Sequence, residues 1–158
     1  MSDPAARDAA TAALRELILV GERYRIAVAG HLDLTVNESR AISHLLARGH
    51  MGQTDLATAL GLTTSSTTTL VDRLERRELV VRVPDPRDRR RSTVEIPESG
   101  LRRLSEVRDW MPHAFDALEA ADLPSVATLL ETIADSLRTV TSDIEASQTP
   151  MPGHRRRH

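Results

Sequence analysis

Residues 54–96 read TDLATALGLTTSSTTTLVDRLERRELVVRVPDPRDRRRSTVEI. Leu56, Ala57 and Leu60 fall on one face of a short helix over 54–60, and Gly61 supplies a turn. A second helix follows over 64–77, with Leu70, Val71 and Leu74 facing inward. Its first turns carry Thr64, Ser65, Ser66, Thr67, Thr68 and Thr69. Short hydroxyl side chains each cost a helix a few tenths of a kcal/mol relative to Ala, roughly. Local stability does not explain such a run; a slim, hydroxyl-bearing helix end does. Two β-branched segments, 79–83 and 92–96, then flank the loop PDPRDRRR at 84–91. That loop exceeds a tight hairpin and should project. Helix, turn, helix and charged hairpin, in that order, form a winged helix-turn-helix: one helix suited to the major groove, with a charged loop beside it.

Working outward, residues 4–29 read as a helix, with Leu14, Leu17, Gly21, Tyr24 and Val28 recurring at spacings of three and four. Gly21 either admits another backbone or is a tolerated weak spot. Leu32-Asp33-Leu34 ends the pattern. Thr35-Val36-Asn37-Glu38 is a capping box, in which the Thr hydroxyl and the Glu carboxylate satisfy exposed N–H groups reciprocally. The helix it opens carries Ile42, Leu45 and Leu46 and stops at Gly49. A long helix over 98–120 presents Leu101, Leu104, Met111, Phe115 and Leu118, with Pro112 expected to kink or split it. Asp122 is placed to cap a last helix with Pro124 in its first turn. Val126, Leu130, Ile133, Leu137, Val140 and Ile144 then space as a heptad seam. A second copy of the chain, or the helix's own domain, covers such a seam. The end, QTPMPGHRRRH, reads as disordered, its Arg triplet either solvated or touching phosphate.

The expected fold is mainly α with a small two-stranded β-wing. Residues 1–33 form an N-terminal dimerisation helix, 34–99 the winged helix-turn-helix, 100–147 C-terminal dimerisation helices and 148–158 a disordered basic tail. Composition agrees. At 158 residues and 40% hydrophobic the chain can bury a core, but Tyr24, Trp110 and Phe115 are its only aromatics, so aliphatic helix packing must supply it. Without Cys there is no disulfide or thiolate chemistry. No apolar run approaches the roughly 20 residues of a bilayer span, and the N-terminus lacks a signal-peptide pattern, so a cytoplasmic protein is expected. Net charge is −2, yet residues 63–105 hold ten Arg against seven acids, and 106–145 hold two Arg against nine. A basic middle and an acidic C-terminal half suit a chain that faces phosphate with one part and its own copy with another. All 21 basic residues are Arg, whose guanidinium suits bidentate contact with phosphate or base.

The chain resembles the MarR family of bacterial transcription regulators. The resemblance is carried by LTVNE (34–38), QTDLATALGL (53–62), TLVDRLERRELV (69–80) and VPDPRDRRRSTVEIPESG (83–100). It implies a homodimer with interdigitated terminal helices and two winged-helix lobes. It places the recognition helix at 64–77 and gives Arg90 of the wing a minor-groove role, steadied by Asp88. The expected DNA-binding residues are Thr64, Ser65, Ser66, Thr68, Thr69 and Arg73 on the helix, and Arg87, Asp88, Arg89, Arg90 and Arg91 on the wing. Arg73 could instead pair with Asp72 or Glu75, and the wing could be a solvated charged hairpin.

Two departures stand out. Glu78 sits where the family usually has Gly; a left-handed Glu would add about 1–2 kcal/mol of strain. Thr67 and Thr69 replace basic or large apolar residues, leaving base readout to Thr64, Ser65 and Thr68, with Thr methyls favouring thymine. Much specificity should then come from minor-groove shape.

The implied function is a sequence-specific double-stranded DNA-binding regulator, a repressor of a pseudo-palindromic operator released by a small, anionic aromatic effector. Tyr24, Arg25, His31, Trp110 and Met111 are candidate effector-pocket residues, or else core filling. No cofactor is expected. A metal-responsive regulator is an alternative, since Asp109, His113 and Asp116 share a helix face, but the pattern is common by chance. An architectural or protein-interaction module with nonspecific DNA binding is another. No phosphate loop, nucleophile elbow or zinc-protease motif suggests an enzyme.

Overall fold

The computed structural model describes residues 3–85 and 92–148. The wing tip at 86–91 and the tail from 149 onward lie outside the described residues. The chain divides into two compact units, the first ending at Asp109 and the second starting at Trp110. No described helix is long and apolar enough to cross a membrane.

The first unit opens with α1 (Pro4–His31), capped by the Asp3 carboxylate, which accepts from the Ala5 N–H at 3.0 Å. It is followed by α2 (Val36–Arg48), β1 (His50–Gly52), α3 (Gln53–Leu60) and α4 (Thr64–Arg76). β2 (Val81–Pro84), β3 (Ser92–Glu95), α5 (Glu98–Arg103) and α6 (Ser105–Trp110) complete it. The capping box at the head of α2 forms as expected: Glu38 N–H donates to Thr35 Oγ1, and Thr35 N–H to the Glu38 carboxylate at 2.8 Å. The core gathers Ile42 and Leu45 from α2, Leu56 and Leu60 from α3, Leu70, Val71 and Leu74 from α4, Val94 from β3, and Leu104.

The sheet has three strands, in the order β1-β3-β2, where the sequence suggested two. β1 spans three residues, too few to show a period, and its pairing of Met51 with Val94 is purely tertiary. The first wing strand starts at Val81 rather than Leu79, because the Leu79 N–H is taken by the Leu74 carbonyl in closing α4.

Three helix ends share one device. After α1, α3 and α4 the chain passes through a left-handed residue: Asp33 at φ 52°, Gly61 at 67° and Glu78 at 58°. Each time the next N–H reaches back to close the helix: Leu34 to the Ala29 carbonyl at 2.8 Å, Leu62 to Ala57 at 3.0 Å, Leu79 to Leu74 at 3.0 Å. This is the Schellman closure, for which glycine is the usual residue. The Arg77 guanidinium joins two of the turns, donating to the carbonyls of Asp33 and of Leu32, the latter at 2.8 Å. Arg103 of α5 donates in turn to the Arg77 carbonyl.

Gly100 marks another tight contact. A Cβ there would lie 2.7 Å from the Leu79 carbonyl oxygen, so α5 can approach the end of α4 only without a side chain at this position. The single helix expected over 98–120 is instead α5, α6 and a 3-10 turn, Met111–Phe115. Pro112 lies in that turn; a proline lacks the N–H that would continue an α-helix.

The second unit begins at Trp110, the last residue of α6, and contains the 3-10 turn and α7 (Leu123–Gln148). Along the predicted seam, Val126 and Ile133 are half-buried, whereas Leu130, Leu137, Val140 and Ile144 are exposed. Met111, Phe115 and Leu118 are exposed too.

One prediction concerns a helix end and a second the interior of α2. Glu78→Gly relieves the left-handed strain at the cost of only an exposed contact to Arg103 at 3.8 Å, so urea unfolding should show a gain of about 1 kcal/mol. No gain would mean that Glu78 is unstrained. His44 is held below the ordinary imidazole pKa, by burial first and then by the positive charges of Arg48, Arg40 and Arg25, while a hydrogen bond with the Ala59 backbone opposes them. The unfolded chain therefore takes up the proton more readily, and stability is lost as pH falls through the unfolded value of 6.5. The urea midpoint should drop between about pH 7.5 and about pH 5.5, and drop less in His44→Gln; equal drops would remove His44 from the account.

Candidate nucleic-acid interface

α4 has two faces with opposite chemistry. Inward, Leu70, Val71 and Leu74 pack in the core, joined by Thr67, which is 0% exposed. Thr67 is therefore a core residue and not a reader of bases. Outward, Ser65, Thr69 and Arg73 lie one turn apart on an exposed stripe, with Thr64 and Ser66 exposed beside them and Thr68 half-buried. The sequence-predicted residues Thr64, Ser65, Ser66, Thr69 and Arg73 are thus all accessible.

The hydroxyl run has an internal order. Thr63 caps the helix, its Oγ1 accepting from the Ser66 N–H at 3.2 Å. Thr67, Thr68 and Thr69 each donate their hydroxyl proton to the carbonyl four residues back, at 3.0, 2.9 and 3.2 Å. Gln53, the first residue of α3, also donates its side-chain amide to Thr68 Oγ1. This link from α3 to α4 is tertiary and leaves no mark in the sequence spacing.

Arg82 is the residue that sequence reasoning missed. From β2 it donates to Asp72 at 2.7 Å and to Glu75, while its own backbone N–H reaches Glu75 at 3.0 Å. The root of the wing is thereby fastened to the flank of α4. The signal was present: two acids three apart on one helix face, and one Arg within a β-branched strand. Because Arg82 takes both carboxylates, Arg73 does not pair with Asp72 or Glu75, and among the described residues it has no acidic partner. Between the start of α2 and α4 lies a recess of 430 Å³, lined in part by Asn37, Ser66, Thr69 and Arg73.

The other candidates are dispersed. Arg87, Asp88, Arg89, Arg90 and Arg91 lie outside the described residues. Tyr24, Arg25 and His31 belong to α1 in the first unit, while Trp110 and Met111 open the second. His31 Nε2 sits 3.2 Å from the Glu106 carboxylate. His113 Nδ1 lies 2.9 Å from Asp116, but among the described residues no three potential ligands gather for a metal.

A buried helix face, a bare hydroxyl-rich face and a strand pair fastened behind them make this lobe a winged helix-turn-helix. Residues 32–91, the winged helix-turn-helix segment, match the model of the MarR family. The fold agrees with solved structures. A MarR family protein from Bacillus stearothermophilus superimposes with a TM-score of 0.65 at 20% identity, over 87% of this chain and 99% of that one. Wild-type apo MarR from E. coli gives 0.54 at 18% identity, over 84% and 98%. The transcriptional repressor CouR, bound to a 23-mer DNA duplex, gives 0.53 at 24% identity, over 77% and 89%. No curated protein sequence matches the chain.

Replacing Arg82 with Met should cost about 1–2 kcal/mol in urea unfolding, since it leaves two partly exposed carboxylates without their shared cation. The same change in an Asp72→Asn, Glu75→Gln background should cost clearly less. Equal costs in both backgrounds would show that Arg82 acts by packing alone.

Proposed function

We propose that the protein is a transcriptional regulator that binds a specific double-stranded DNA site as a homodimer, through α4 and the arginine-rich wing. The observation that carries this reading is the outer face of α4, an accessible stripe of hydroxyls ending in Arg73, on a helix whose other face is locked in the core. Arg73, with Arg87, Arg89 and Arg91, is assigned to phosphates, and Arg90, steadied by Asp88, to the minor groove. The wing assignments rest on charge and on the match to the family.

The terminal helices support a second copy. Leu17, Ile18, Leu19 and Val20 are four consecutive exposed apolar residues, so they cover every side of α1. A helix wetted on all sides by apolar surface suits enclosure by a partner chain. α7 likewise exposes Leu129, Leu130, Leu137, Val140 and Ile144. A dimer sets two recognition helices against two half-sites about one helical turn apart, hence a pseudo-palindromic operator.

We assign it the role of a repressor released by a small anionic aromatic effector. The residue types Tyr24, Arg25, His31, Trp110 and Met111 suit such a ligand, and the resemblance to the family supports the rest. A coupling of about 1–3 kcal/mol between effector and DNA is enough for a 5–150-fold switch.

Selection of binding sites from random duplexes, followed by fluorescence anisotropy against scrambled DNA, tests this reading. The enriched site should bind about 100-fold more tightly than the scrambled one. If four phosphates are held per subunit, log K should fall against log salt with a slope of about −7. Equal, salt-sensitive binding to every sequence would make the protein an architectural one instead.

A further inference from the structure

The threonines of α4 differ from its serines in what they can offer to DNA. Thr68 and Thr69 each donate their single hydroxyl proton to a backbone carbonyl of the same helix, Thr64 and Ser65 respectively. Neither then has a proton for the acceptors on a base edge, such as guanine N7 and O6 or thymine O4. On Thr68 the oxygen also accepts from Gln53. That hydroxyl is engaged both as donor and as acceptor.

Once Oγ1 is folded onto the helix, the other branch at Cβ, the methyl, is what remains to face outward. On Thr69 this occurs at the middle of the exposed stripe, flanked by Ser65 and Arg73. In the major groove only thymine carries a methyl, so an apolar group there is selective by contact alone. Turning the hydroxyl outward would sacrifice its bond to the helix, whereas the methyl is already presented. Thr64 contrasts with its neighbours: among the described residues its hydroxyl has no bond to an earlier carbonyl, and it can still donate.

We infer that Thr69, with Thr68 beside it, reads the operator through its methyl group, so that this part of α4 recognises thymine 5-methyls rather than hydrogen-bonding base edges. This rests on the DNA-binding reading above and specifies its chemistry: Thr64 and the two serines supply donors, and Thr68 and Thr69 supply apolar contact.

The test uses the full chain and the duplex enriched by selection. Each dT of a half-site is replaced singly by dU, which removes the methyl and leaves base pairing unchanged. At one or two positions the wild-type protein should bind about fourfold more weakly, the worth of one buried methyl. Thr69→Val, which keeps the methyl and loses the hydroxyl, should retain affinity and still discriminate dT from dU. Thr69→Ser, which keeps the hydroxyl and loses the methyl, should bind about fourfold more weakly to dT and no longer discriminate. Position 69 is exposed, so neither variant threatens the fold. The inference is overturned if no dU position matters, or if Thr69→Val loses affinity while Thr69→Ser keeps it. If selection enriches no sequence, the DNA-binding reading falls and takes this one with it; if a site is enriched and uracil is silent, only the methyl readout falls.

Discussion

Arg82 reaches from β2 to two carboxylates of α4, Asp72 and Glu75, and much of the lobe's outer chemistry depends on that contact. It neutralises both acids on the flank of α4 between the core face and the exposed stripe, and it leaves Arg73 without a competing partner among the described residues. It also fixes the strand that leads into the wing. The apolar face of α4 buries Leu70, Val71 and Leu74 in the core, but hydrophobic contact is non-directional. A side chain held by two carboxylates sets an orientation that Leu70, Val71 and Leu74 alone would not.

The same concern for orientation shows at the helix ends. Asp33 and Glu78 occupy left-handed turns where glycine would rest without strain, and Arg77 spans the two turns by donating to the carbonyls of Leu32 and Asp33. Arg103 extends the link to α5. The end of α1, the end of α4 and the end of α5 are thus tied by guanidinium-to-carbonyl bonds. Gly100 allows α5 to lie against the Leu79 carbonyl, where any side chain would collide. A shift of α1 would therefore pull on the end of α4.

Much of this was legible in the sequence because it is local. The capping box at Thr35 and Glu38, the turn at Gly61 and the inward residues of α4 follow from spacing alone. Thr67 could have been read as well: it precedes Leu70 and Val71 by three and four residues, which places it on their face. The third strand could not, since three residues carry no period and their partner lies more than forty positions away. Arg82 needed tertiary proximity to reveal which acids it would take. The direction of the threonine hydroxyls needed side-chain geometry, because sequence spacing does not say whether a hydroxyl points at DNA or back at its own helix. The break of the 98–120 helix into α5, α6 and a 3-10 turn was only half legible, through Pro112.

The account stands on two recognition helices being presented together by a homodimer. Sedimentation of the full chain with its selected duplex, paired with hydroxyl-radical footprinting, tests that most directly. The account predicts two chains per duplex and two protected patches about one helical turn apart on the same face of the DNA. A single chain protecting a single patch would contradict it.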